Sequence, residues 1–165
     1  MFAVTLLVIA RPPDAMGKSW RQIKPMRSTS HDVARLFKGC EEVETRCQFT
    51  LEDQEVMIVF SGSNIGALEC KLVPKRTVLA IIIKFSRPRS IKTFHLKNRK
   101  PKIFDPSSPP KQGYKTYYYE PEGFMINTYK GEVIGLVYVA SQKDIHLCPE
   151  YYDDPRAFVD VGLVP

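Results

Sequence analysis

Histidine is scarce in this chain of 165 residues. The three present, His31, His95 and His146, have no acidic partner identifiable from the sequence, so no nucleophile, base and orienting acid can be assembled on them. Ser61-Gly62-Ser63 lacks the Gly-x-Ser-x-Gly elbow of a hydrolase. The loop Ser61 to Gly66 resembles a phosphate cradle only superficially, because the Lys and the following helix are missing. Glu52, Asp53 and Glu55 cluster at a turn, where carboxylates are normally solvated, whereas acid/base work calls for burial. Cys-x-x-Cys is absent, which argues against zinc-ribbon and thioredoxin-like chemistry. His146-Leu147-Cys148 supplies one close His and Cys pairing, where a structural zinc site wants four ligands. These shortages lead to the expectation of a non-enzyme with no catalytic residue, no metal and no cofactor.

Long apolar runs are missing too. Met1 to Ile9 falls short of the roughly 20 residues a membrane-crossing helix requires, so no transmembrane segment is expected. The run has no basic residues before it and no clean cleavage site after it. It reads either as the remnant of a signal peptide truncated here or as a strand. No repeat of 20 to 50 residues is visible, against solenoids and propellers.

What is present describes a folding chain. At 44 % hydrophobic and 25 % charged it is too apolar for wholesale disorder, and its length suits one domain. The expected organisation is an apolar segment over 1–19, a single domain over 20–148 and a tail over 149–165. Cys40, Cys47, Cys70 and Cys148 form an even set, either disulfide-bonded or buried as free thiols.

The fold expected is α+β: an antiparallel meander of five to seven strands with one short amphipathic helix packed on it. Thr29 and Asp32 have capping-box spacing, Val33, Leu36 and Phe37 share one face, and Gly39 suits a C-terminal cap, giving a helix over Ser30 to Lys38. Cys47, Phe49 and Leu51 alternate with polar residues, and Glu52-Asp53-Gln54 turns the chain into Glu55 to Phe60. Thr77 to Phe85 carries Val-Leu-Ala-Ile-Ile-Ile, apolar on both faces as a central strand would be. Tyr114 to Tyr119, Phe124 to Tyr129 and Glu132 to Val139 are separated by Pro121-Glu122-Gly123 and Lys130-Gly131, both turn chemistry.

The formal charge of +6 favours anionic partners. Its densest part is Lys84, Arg87, Arg89, Lys92, Lys97, Arg99, Lys100 and Lys102, interleaved with Phe85, Phe94, His95 and Phe104, on what reads as a long surface connection from Arg87 to Gln112. Such a segment could hold phosphates while its rings stack on bases, making nucleic acid or another polyanion an alternative partner. The preferred reading is a solvated loop whose aromatics anchor it to the body, since no nucleic-acid-binding motif accompanies it.

Trp20-Arg21-Gln22-Ile23-Lys24-Pro25-Met26-Arg27-Ser28-Thr29, Asp32-Val33 and Leu36-Phe37-Lys38-Gly39 resemble the opening of a family of uncharacterised bacterial exported proteins. Phe60-Ser61-Gly62, Val73 to Val78, Tyr117-Tyr118-Tyr119-Glu120, Glu122-Gly123 and Asp144 to Cys148 resemble that family's later blocks. The resemblance brings no known activity. It implies an extracytoplasmic protein, periplasmic or secreted, whose partner is a protein or envelope component. The helix region is also similar to the repeat of small outer-membrane lipoproteins of the barrel-assembly machinery, whose fold is β-lactamase-inhibitor-protein-like. That similarity implies a helix and loop packed on an antiparallel sheet, although the chain lacks a lipidation Cys near its start. For the cysteines, Cys47 opens a hairpin and Cys70 lies just beyond its second strand, so Cys47 with Cys70 is the preferred bridge and Cys40 with Cys148 the remainder.

Overall fold

A computed structural model describes residues 19–40, 45–62, 70, 72–94, 96, 99–105 and 112–149. The apolar run Met1 to Ile9, His95, Lys97 and the tail beyond 149 lie outside the described residues. Among the described residues, seven strands form one fully antiparallel sheet: β1 (Arg46–Leu51), β2 (Gln54–Phe60), β3 (Val78–Ser90), β4 (Lys102–Phe104), β5 (Tyr114–Tyr119), β6 (Phe124–Tyr129) and β7 (Glu132–Tyr138). Their order across the sheet is β1-β2-β3-β7-β6-β5-β4. The sheet is antiparallel as expected, but it is two meanders, β1-β2-β3 and β4-β5-β6-β7, joined through β3 and β7, so the doubly apolar run β3 stands inside the sheet between β2 and β7.

Turn chemistry sets the registers. Lys130 and Gly131 both take positive φ, +50° and +85°, the backbone of a two-residue turn whose twist matches the flanking strands. Glu52 at φ +56° opens the two-residue connection of β1 to β2, leaving Leu51 opposite Gln54. Arg21 and Gln22 do the same on a smaller scale, closing Trp20 and Ile23 into a pair of mutual backbone hydrogen bonds.

The helix α1 (Ser30–Leu36) starts at the expected cap and ends two residues earlier than expected. Thr29 Oγ1 accepts from the Asp32 N–H, and the Asp32 carboxylate accepts from the Thr29 N–H at 2.8 Å, a complete capping box. The Thr29 backbone N–H and then its hydroxyl hold the Asp32 carboxyl below the usual carboxylate range. Because the folded value is depressed, this contribution is present above about pH 4, the unfolded value, and disappears as pH falls through the folded one. Thr29→Ala should cost about 1 kcal/mol, and the loss measured by urea unfolding should shrink when the pH is lowered from 7 to 3. A pH-independent loss would mean the carboxylate takes no part in the cap.

Alternation along the strands creates two cores. On the first face Val56, Ile58, Phe60, Ile81, Ile83, Phe85, Phe124, Ile126, Leu136 and Tyr138 are buried together with Trp20, Ile23 and Val33. The helix thus lies on this face, with Phe37 stacked between Trp20 and Phe49 at ring separations of 5.4 and 4.7 Å. The second face buries Val59, Leu79, Ala80, Ile82, Tyr118, Met125, Val137 and Val139.

All four cysteines are paired, but not as expected. The bridges are Cys40–Cys47 and Cys70–Cys148, with Cα atoms 5.5 and 5.0 Å apart. The reason is the sheet itself. Cys40 and Cys47 belong to the first core and Cys70 and Cys148 to the second, so Cys47 and Cys70 are on opposite faces despite their closeness in sequence. The connection expected from Arg87 to Gln112 is also corrected. β3 continues to Ser90, Ile91–Phe94 forms a 3-10 turn, and Lys102–Phe104 joins the sheet as its edge strand.

Among the described residues, two buried side-chain polar atoms on the second face have no hydrogen-bond partner: the Tyr118 hydroxyl and the Asn127 nitrogen. The other end of that amide is satisfied, since Thr116 Oγ1 donates to Asn127 Oδ1 at 2.6 Å. Burial pushes the Tyr118 phenol up to about 12, with the nearby Glu120 charge adding to the shift. The folded value is raised, so the neutral phenol's contribution is intact below pH 10 and is lost as pH climbs from 10 to about 12. Tyr118→Phe removes an unsatisfied hydroxyl at little cost in volume and should stabilise by about 1 kcal/mol. The variant should also lose stability less steeply above pH 10, and an identical alkaline profile would contradict the burial argument.

Candidate functional site

The sheet disperses the basic segment that stood out in the sequence. Lys84, Arg87 and Arg89 are in β3, Lys92 is in the 3-10 turn, and Lys102 is in β4, preceded by Arg99 and Lys100. Since β3 and β4 are four places apart in the sheet, about 19 Å separates them at about 4.8 Å per strand. Carboxylates neutralise part of the set. Arg89 reaches Asp53 at 2.6 Å with its guanidinium 4.1 Å above the Phe85 ring, Lys102 meets Glu120 at 2.6 Å, and Arg99 lies 3.8 Å from Glu122. The hydrogen bond from Arg89 holds the Asp53 carboxyl below its usual range. Lys84, Lys92 and Lys100 form no salt bridge among the described residues, and Arg87 adds its charge to that of Arg89 near Asp53.

The aromatic half of that expectation changes as well. Phe85 and Phe94 are buried in the first core and Phe104 packs against the second. The Phe85 and Phe94 rings anchor the chain and present no face on which a base could stack, while Phe104 is half-buried.

Other sequence candidates have structural occupations. Ser61 is buried, donating to the Pro74 carbonyl at 2.6 Å and accepting from the Thr77 N–H at 2.9 Å, which ties the end of β2 to the start of β3. Cys148 is committed to its bridge, so the His146-Leu147-Cys148 pairing offers no thiolate to a metal. His31 and His146 are both exposed.

A different place brings charge and concavity together. A groove of about 510 Å³ is lined by Lys24, Pro25, Arg27, Val139, Ser141, Lys143 and Asp144. One wall is the turn before the helix, held by the Ser28 N–H donating to the Lys24 carbonyl at 2.9 Å and the Lys24 N–H donating to Ser28 Oγ at 3.0 Å. The Met26 N–H, donating to the Val78 carbonyl at 2.7 Å, fastens this turn to β3. The opposite wall follows β7: the Asp144 N–H donates to the Ser141 carbonyl at 2.8 Å, and Ser141 Oγ donates to Asp144 Oδ2 at 3.0 Å. Arg27 reaches across to Asp144 at 2.5 Å and joins the walls. Buried Pro25, Val139 and Ser141 form the deeper lining, while Lys24 and Lys143 are exposed at the rim.

Some of these residues fall in the blocks that carry the family resemblance, but the sequence did not mark them as a site. Lys24-Pro25-Met26-Arg27 and Ser141-Gln142-Lys143-Asp144 lie more than a hundred residues apart, and each alone is an ordinary turn. Comparison with protein-family models, with curated proteins and with solved structures finds no match to this chain.

Proposed function

We propose that this protein is a non-catalytic binding or structural module working outside the cytoplasm, in the periplasm or as a secreted protein. The pairing of all four cysteines carries the reading, because two buried disulfides suggest an oxidising environment and are rare where glutathione keeps thiols reduced. No helix among the described residues is long and apolar enough to cross a membrane. The resemblance to bacterial exported proteins supports the same placement, with another protein or an envelope component as partner. The test is thiol alkylation of protein isolated from its native host without reductant, with mass spectrometry before and after reduction. Modification of no cysteine before reduction and of all four after it is the expected result. Four reactive thiols in the native protein would remove the chemical basis of the assignment.

A second reading, polyanion binding through the segment 84–102, is favoured by Lys84, Lys92 and Lys100, which form no salt bridge among the described residues. With the Phe85 and Phe94 rings in the core, phosphate contacts are its main support. Affinity for an oligonucleotide should then fall steeply with added salt and be independent of base sequence. Binding insensitive to salt would dismiss it.

A further inference from the structure

We infer that the groove between the Lys24–Arg27 turn and the Val139–Asp144 turn is a binding site for a small phosphomonoester. Three cations and one carboxylate line it, and the carboxylate is spent on Arg27, leaving the ammonium groups of Lys24 and Lys143 without a partner among the described residues. A dianionic phosphoryl group in the groove would be attracted by both, and ammonium groups serve phosphate as point charges needing no fixed plane. The walls are organised beforehand. The Arg27–Asp144 pair spans the groove, backbone hydrogen bonds tie one wall to β3, and the other wall runs on to the Cys70–Cys148 bridge. Little ordering cost remains for a ligand to meet.

Size and lining narrow the class. A volume of about 510 Å³ falls in the range of metabolite sites and far exceeds an inorganic phosphate ion. Pro25 and Val139 offer apolar contact and Ser141 a hydroxyl, which suits the organic portion of a sugar phosphate or similar ester. This inference deepens the binding role proposed above and rests on it.

The test is an amide-resolved NMR titration of the disulfide-bonded protein, its thiol state checked beforehand, with inorganic phosphate and with glucose 6-phosphate at constant ionic strength in chloride. Saturable shifts should centre on Lys24, Arg27, Val139 and Ser141 to Asp144. Glucose 6-phosphate should bind several-fold tighter than phosphate, and Lys24→Ala combined with Lys143→Ala should weaken both by about ten-fold with the remaining spectrum unchanged. Shifts no larger than chloride produces, or affinity unchanged in the double variant, would overturn the site. Vesicles containing phosphatidic acid form a third arm: groove-dependent binding to them without saturable shifts from glucose 6-phosphate would give the groove to a lipid headgroup and overturn the soluble ester. A failed titration on protein with both bridges intact leaves the extracytoplasmic reading standing, so the two failures are distinguishable.

Discussion

Replacing both Cys70 and Cys148 by serine should lower stability by about 4 kcal/mol, roughly twice the loss from replacing Cys40 and Cys47. The two bridges differ most in the length of chain they close. Their sequence separations are 78 and 7, and loop-closure entropy in the unfolded chain converts these to about 4.5 and about 2.4 kcal/mol respectively. Both are buried, so serine also places a polar hydroxyl in each core and adds a smaller, similar cost to both variants. Against a typical domain stability of about 5 to 15 kcal/mol, loss of the longer bridge leaves little reserve. Urea unfolding of the two double variants is the measurement. The slope with denaturant should change more for the Cys70 and Cys148 variant, because the unfolded chain it releases exposes more surface. Equal losses, or a larger one from the short bridge, would contradict the pairing and the entropic account together.

Gly123→Ala should be nearly as damaging, by about 3 kcal/mol. Gly123 sits at φ +63°, closing the 3-10 turn Glu120–Glu122 before β6. A Cβ there would come within 2.5 Å of the carbonyl carbon and oxygen of Ala140 and of the Val139 carbonyl oxygen. Those atoms are backbone, fixed by the Val139 N–H donating to the Gly123 carbonyl at 2.9 Å, so no rotamer change can make room. The left-handed conformation costs a side-chain-bearing residue about 1 kcal/mol, and forced movement of the strand end costs a further 1 to 3 kcal/mol, approximately. Gly131 supplies the control. Its φ is +85°, yet among the described residues nothing lies within 4 Å of where its Cβ would stand, so Gly131→Ala should cost about 1 kcal/mol, the backbone contribution alone. Thermal unfolding of both variants would expose an error in this reasoning if their midpoints fell equally. Because Val139 lines the groove, Gly123→Ala should also disturb amide signals there.

The parts of this fold legible in the sequence are those written in local chemistry. Thr29 and Asp32 announce a cap because both partners lie within one helical turn, and Lys130-Gly131 announces a hairpin because the turn itself demands positive φ. The β3 run Val-Leu-Ala-Ile-Ile-Ile announces an interior strand because burial on both faces removes alternation. Proximity in sequence misled the cysteine pairing, although a signal was present: Cys47 alternates with Phe49 and Leu51 on the face the helix covers, and Cys40 follows that helix. β4 was missed because Lys-Ile-Phe is too short to show a period amid Pro and Lys. The placement of the basic segment was not legible, because charge density along a chain becomes a patch only if the chain stays together, and here it runs from mid-sheet to the sheet edge. The groove was not legible at all, since it exists only once β3 and β7 have brought the turns at 24 and 144 together.

The strand order has a kinetic consequence. β1, β2 and β3 form successive hairpins, as do β5, β6 and β7, so either half of the sheet can assemble from near neighbours. Their union depends on residues such as Ile82 and Val137, some 55 positions apart, and joining such distant partners is the slow event in folding a sheet. Until then β3 presents an apolar edge to any other chain, the condition under which partly folded sheets aggregate. Cys70 belongs to the first half and Cys148 follows the second, so oxidation of that pair ties the two halves covalently at a second point and favours their pairing with each other over pairing with another chain. Cys40–Cys47 closes within the first half and gives no such protection. A cell that delays the longer bridge therefore prolongs the lifetime of the sticky intermediate, and the yield of folded protein becomes a competition between thiol oxidation and aggregation.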